Sequence, residues 1–185
     1  MHRSALFLAL ILGLVALFAL SGCWWFEGLF PSPSPSPSPS PSPSPLPTNT
    51  DMDRKDFTMF SLEGGTITLS SFKGKPVLLV FFSPGCSHCK AEVPALNEVY
   101  RKYKDTHGLV VLGAGYGLED SIRNFVTSTG AAYIVGYFTD RTIIETYGVE
   151  YVPHNVFFDR NGNIVKTYTG PMTLSALESF LSEIL

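Results

Sequence analysis

The most constraining stretch of this 185-residue chain is an apolar run, Pro76 to Phe82, that ends in Ser83-Pro84-Gly85 and then Cys86-Ser87-His88-Cys89. Six consecutive apolar residues after Pro76 read as a strand buried on both faces. Pro76 suits its first position, where a missing N–H is tolerated. Ser-Pro-Gly marks a turn. A helical pattern follows, so the cysteines enter the first turn of a helix. Two intervening residues bring their sulfurs close enough for a small disulfide ring. Unpaired N–H groups and the helix dipole favour an anion at that end, and the thiolate is the reactive form of cysteine. The spacing and context therefore make Cys86 a candidate nucleophile and Cys89 a candidate resolving thiol.

The rest of the chain divides around this stretch. Residues 1–50 contain Arg3 and Glu27 as their only Asp, Glu, Lys or Arg, so the net charge of −3 belongs to the remainder. Roughly 135 residues from Asp51 suffice for one compact domain. The mildly acidic balance offers no reason to expect nucleic acid as a partner. With three cysteines, the chain is not a disulfide scaffold.

Arg3 and the apolar segment from Ala5 to Leu20 form a signal-like start, short for a spanning helix. Leu20-Ser21-Gly22-Cys23 resembles the bacterial lipoprotein lipobox at all four positions. The resemblance implies a signal peptide over residues 1–22, cleaved before Cys23, and lipid on that cysteine. An uncleaved anchor with an incidental cysteine is the other reading; both put the domain outside the cytoplasm on a membrane. Trp24, Trp25 and Phe26 suit the membrane interface in either case. Seven Pro-Ser pairs from Pro31 to Ser44, then Pro45-Leu46-Pro47, hold nine of the fourteen prolines. Residues 23–50 thus read as a lipidated cysteine and an extended linker. At roughly 3.1 Å per residue the proline-rich part would give about 50 Å of reach away from the membrane.

Within residues 51–185, Phe57–Leu62 and Thr66–Leu69 around Glu63-Gly64-Gly65 predict an N-terminal β-hairpin. Ser70 to Lys75 reads as a loop. Val93, Leu96, Val99, Tyr100 and Tyr103 give the helix from Cys86 to Lys104 an apolar face, with Pro94 inside it. Leu109–Ala114 predicts a strand and Glu119–Thr129 a helix, with Ile122, Phe125 and Val126 inward. Ala131–Val135 predicts a short strand, and Asp140–Tyr147 a helix closed by Gly148. Asn155–Asp159 and Ile164–Tyr168 predict a hairpin. A last helix from Thr173 carries Leu174, Leu177, Leu181 and Ile184. The expected class is α/β, a mixed sheet with helices on both faces. Gly113-Ala114-Gly115-Tyr116-Gly117 reads as a loop, since its third glycine falls one residue early for a dinucleotide-binding turn.

Three stretches together resemble the TlpA/ResA-like thiol-disulfide oxidoreductases of the thioredoxin superfamily: FTMFSLEGGTITLSSFKGK, GKPVLLVFFSPGCSHCKAEVPAL and YGVEYVPHNVFFDRNGNIV. The resemblance implies a thioredoxin-like fold over roughly Asp53–Leu185. It implies a cis Val152-Pro153 bond facing the cysteines and offering the Val152 backbone to an extended substrate, where the residues alone allow an ordinary trans turn. It also implies that Glu92, three residues past Cys89 and so its helical neighbour, takes the Cys89 proton; an exposed helical glutamate is the plain alternative.

The chain departs from that family where Gly85 precedes the motif in place of an aromatic, and where His154 follows the proline in place of threonine. The implied activity is reduction of disulfides in envelope proteins, apocytochrome c among them. A membrane thiol would donate the electrons, and the Cys86–Cys89 disulfide is the only redox group, with no organic cofactor. His88 leaves a second direction open: protonated, it would stabilise the Cys86 thiolate and favour a DsbA-like oxidant. A third reading is a copper-handling module, since Cys86, His88, Cys89 and His154 are metal-ligating types. Adjacent His88 and Cys89 can hardly both turn to one ion, so no dedicated metal site is expected.

Overall fold

The structure, a computed structural model, describes residues 50–185. The expected signal peptide, Cys23 and the Pro-Ser run lie outside the described residues.

The Val77–Phe82 strand, β3, sits at the heart of a seven-stranded sheet of order β2-β1-β5-β4-β3-β6-β7. The other strands are β1 (Thr58–Ser61), β2 (Thr66–Thr68), β4 (Val110–Tyr116), β5 (Ile134–Phe138), β6 (His154–Phe158) and β7 (Ile164–Thr169). On one side β3 pairs in parallel with β4, from Val77–Val110 to Phe82–Gly115. On the other it pairs antiparallel with β6, from Val77–Phe158 to Phe81–His154. β1 pairs antiparallel with both β2 and β5, so the sheet is mixed.

Side-chain alternation along β3 explains why its whole run is apolar. Leu78, Val80 and Phe82 enter one core cluster, while Val77, Leu79 and Phe81 enter the other. The first cluster is covered by α2 (Ser87–Tyr103), α3 (Glu119–Thr129) and α5 (Leu174–Leu181), through Val93, Leu96, Val99, Ile122, Phe125, Leu177 and Leu181. The second is covered by α1 (Asp51–Arg54), a 3-10 turn at Leu69–Phe72, and α4 (Arg141–Tyr147). This is a thioredoxin-like α/β fold.

α1 and the 3-10 turn go beyond the sequence reading, being too short for periodicity to reveal. Thr50 caps α1 by accepting the Asp53 N–H at 3.2 Å, and the Asp53 carboxylate returns to the Thr50 N–H. Asp51 accepts the Ile164 N–H and Met52 N–H donates to Gly162 O, tying this end to the β6–β7 turn.

Two expectations are corrected, for one physical reason. The strand expected at Leu109–Ala114 runs on through Gly115 and Tyr116, within the stretch expected as loop. The strand expected at Ala131–Val135 begins instead at Ile134 and runs to Phe138. Glycines made these strands look broken, but they are sites of close approach. A Cβ on Gly115 would lie 2.4 Å from Ile122 Cδ1 and 2.8 Å from Phe82 Cζ; one on Gly136 would lie 2.7 Å from Met59 Sδ. Met59 is unbranched and can yield, but the Phe82 ring is stacked on Phe125 at 4.4 Å and cannot. Gly115→Ala is therefore expected to destabilise the domain by about 1–3 kcal/mol, the usual cost of overpacking. A urea midpoint unchanged from wild type would contradict this account of the glycine.

Candidate active site

β3 delivers the chain to the cysteines through a tight turn, in which Cys86 N–H donates to Ser83 O at 3.0 Å. Cys86 is the N-cap of α2, with extended backbone, and its Sγ accepts the Cys89 N–H at 3.1 Å. A sulfur thus stands where a serine or aspartate oxygen usually caps a helix. In the reduced state that N–H and the helix N-terminus favour a thiolate on Cys86. The structure joins Cys86 and Cys89 as a disulfide, with Cα atoms 5.3 Å apart. The two sulfurs are not equivalent: Cys86 is half-buried and Cys89 is only 3% exposed. Attack from outside is therefore directed to Cys86.

The turn before β6 closes over the pair. Val152-Pro153 is cis, as the resemblance implies, and the Val152 carbonyl oxygen lies 3.5 Å from Cys86 Sγ. Gly170 N–H donates to Pro153 O at 2.8 Å, anchoring the turn to the end of β7. Pro84 and Val152 are half-buried, while Gly85 and Tyr151 are exposed, so the sulfur lies in an accessible, largely apolar rim. His88 is exposed in the first turn of α2 and makes no hydrogen bond or ion pair among the described residues. Cys86, Cys89, Val152 and Pro153 are brought together; His88 is not tied to them.

Glu92 lies one turn beyond Cys89 but is not an exposed helical residue. It is 1% exposed, and its Oε1 accepts two bonds: from Asn155 Nδ2 at 3.1 Å and from Met172 N–H at 3.0 Å. Burial pushes the carboxyl from 4.5 up to about 7, with the Met172 and Asn155 bonds acting in the opposite direction. Its Oε2 is buried without a partner, as is Asn155 Oδ1. Sequence reasoning missed Asn155. The available signal was an amide directly before the apolar run Val156–Phe158 of a strand.

His154, next door on β6, turns the other way. Its neighbours in the alternation, Val156 and Phe158, belong to the cluster opposite the cysteines. Its Nδ1 pairs with Thr169 Oγ1 at 2.7 Å, its Nε2 is buried without a partner, and burial lowers its pKa. The same alternation separates it from Cys86 and Cys89 as a shared ligand set. Among the described residues no group of three or more His, Cys, Asp or Glu is arranged to hold a metal.

Comparison with known proteins gives a consistent picture. Residues 52–167 match the AhpC/TSA family. The chain is 33% identical over 129 residues to thiol-disulfide oxidoreductase ResA of Bacillus thuringiensis strain Al Hakam, covering 70% of this chain and 75% of that protein. To ResA of Bacillus subtilis strain 168 it is 31% identical over 133 residues, covering 71% and 74%. It is also similar to the crystal structure of the exposed lipoprotein thioredoxin of Streptococcus pneumoniae, with a TM-score of 0.62, 30% identity, and coverage of 69% of this chain and 98% of that one.

The raised Glu92 pKa has a stability consequence of definite sign. The folded state binds the proton more tightly than the unfolded chain does, so stability is greatest below the unfolded value, 4.5, and is lost as pH rises through about 7. Glu92→Gln removes this loss while keeping an oxygen to accept both N–H groups. Relative to wild type, the variant should gain about 3 kcal/mol more at pH 8 than at pH 4, from roughly 1.4 kcal/mol per pKa unit. Urea unfolding of the disulfide form at both pH values measures this; an equal difference at the two would refute a neutral, buried Glu92.

Proposed function

This chain belongs to the AhpC/TSA family and is a thiol-disulfide oxidoreductase of the ResA type; from that premise we propose that it is a lipid-anchored, extracytoplasmic reductant of protein disulfides in the cell envelope. The single observation that carries the mechanism is the asymmetry of the pair. An accessible Cys86 lies 3.5 Å from the Val152 carbonyl oxygen, and Cys89 is shielded one helical turn from a buried carboxyl.

In this reading the Cys86 thiolate attacks one sulfur of a target disulfide, and the other target sulfur leaves as a thiolate. The Cys89 thiol gives its proton to Glu92, and its thiolate then attacks Cys86 Sγ. The second target sulfur leaves, and the pair ends as the disulfide. Two electrons pass to the target, and a membrane thiol donor restores the dithiol without a separate cofactor. A carboxyl titrating near neutrality suits both halves of that proton exchange. The Val152 carbonyl offers an extended target one backbone bond beside the attacking sulfur.

A disulfide donor would instead require a strongly stabilised Cys86 thiolate. Here one backbone N–H reaches Sγ, and exposed His88 makes no bond to it. Leu20-Ser21-Gly22-Cys23 supports anchoring through lipid on Cys23, and the Pro-Ser run supports a spacer. The pneumococcal relative's description as a lipoprotein supports the same placement. Apocytochrome c is the proposed substrate by family resemblance.

The reading predicts that Cys86→Ser abolishes reduction of a disulfide-bonded protein. Cys89→Ser should accumulate a mixed disulfide through Cys86, detectable by mass spectrometry. The Cys86–Cys89 potential, read by equilibration with glutathione, should fall nearer to about −270 mV than to about −120 mV. A strongly oxidising value would reverse the direction of the proposed electron flow.

A further inference from the structure

We propose that Asn155 is a positioning residue for the reaction: its side-chain amide fixes the Glu92 carboxyl by one oxygen and stabilises the ionised form that takes the Cys89 proton. The proposal rests on Glu92 acting as the base, as argued above, and adds what holds that base in its working state.

Asn155 sits in the interior of the sheet. It is 0% exposed, and its strand neighbours across the ladder are Val80 and Tyr168. A buried amide on an apolar sheet face costs free energy unless its polar atoms are used. Its Nδ2 is used twice, on Glu92 Oε1 at 3.1 Å and towards Gly170 O at 3.5 Å. Both of those atoms are acceptors, so the amide cannot be flipped: the reverse orientation would set Oδ1 against two oxygens. The orientation is dictated by the carboxyl it holds.

The distribution of bonds on the carboxyl is uneven. Both donors, Asn155 Nδ2 and Met172 N–H, reach Oε1, and neither reaches Oε2. A carboxylate held for structure alone would have both buried oxygens satisfied. Oε1 is the anchored atom, and Oε2 is left as the atom that gains and loses the proton. The groups facing Glu92 are few. β6 contributes Asn155 and the segment before α5 contributes the Met172 N–H, while Cys89 lies one helical turn earlier on α2. The segment entering β5 contributes Tyr133, whose own ionisation is opposed first by burial and then by the Glu92 charge. Among the described residues no lysine or arginine contributes to the state of Glu92. With no cation to stabilise the carboxylate, its two neutral N–H donors do so, and Asn155 is the one that mutation can remove.

The experiment compares the full chain with its Asn155→Ala and Asn155→Asp variants, each with and without Glu92→Gln. The rate of reduction of a disulfide-bonded peptide is measured from pH 5 to pH 9. Each rate is divided by the Cys86 thiolate fraction at that pH, read from its alkylation rate, because the thiolate is the attacking form; in wild type the corrected rate rises with pH as Glu92 ionises. In Asn155→Ala that rise moves up by about one to two pH units, the loss of one hydrogen bond to a charged group. In Asn155→Asp, which keeps the shape of the side chain, it moves at least as far, because two carboxyls then share the site. Glu92→Gln removes the rise in every background. If the rise vanishes with Glu92→Gln but stays at its wild-type pH in both Asn155 variants, the base stands and the Asn155 proposal falls, whatever the melting temperatures do. If the rise persists in Glu92→Gln, both fall together.

Discussion

The organisation of this molecule depends on a strand that has no exposed side. β3 is hydrogen-bonded along both edges and covered on both faces, so its six side chains can only be hydrocarbon. Such a strand is a rigid origin for whatever follows it. The chain leaves it through a three-residue turn and becomes a helix at once, so the first sulfur is placed by the strand and the second by the helix. The cap bond from Cys89 N–H to Cys86 Sγ links those two frames. The neighbouring strand β6 begins opposite Phe81 and brings the Val152-Pro153 turn to the same end of the sheet. A reactive site built this way needs no loop to order itself around the target.

The same frame explains why two adjacent residues on β6 have unlike fates. His154 and Asn155 are both polar, both buried and both missing a partner on one atom. Strand alternation sends His154 to the cluster of Val156 and Phe158, away from the cysteines, where it pairs with Thr169. It sends Asn155 to the cluster that holds Cys89 and α2, where it meets Glu92. One residue of register separates a histidine held in the core from an amide beside the chemistry.

Much of this was legible in the residues because the signals were local. The apolar run, the turn and the spacing of Cys86 and Cys89 lie within fourteen consecutive residues. α3 was marked by its apolar Ile122, Phe125 and Val126, and α4 by Gly148 at its end. What stayed hidden depends on contacts between distant segments. Gly115 reads as a break until Ile122 and Phe82 are seen to occupy the space of its absent side chain. The resemblance points to Glu92, but its own helix leaves an exposed position equally open, and only Asn155, 63 residues further on, shows that it is buried. α1 is four residues long and gains its place from Asp51 and Met52 bonding the β6–β7 turn, which no window along the sequence contains.

Burying Glu92 sets stability against reactivity. A leucine at that position would remove a buried polar group and would leave Asn155 and the Met172 N–H without their acceptor. The carboxyl therefore cannot be removed alone; the three polar groups form a unit that exists only because the carboxyl is there. A unit of this kind, unsatisfied at Oε2 and at Asn155 Oδ1, is poor construction for a core. It is sound construction for a proton site, since a group that is to exchange a proton cannot have every lone pair already committed. Its location at the second turn of the helix that carries both cysteines ties that exchange to the one sulfur that solvent does not reach. The accessible sulfur can draw on water and on its target for protons; the shielded one must draw on the protein.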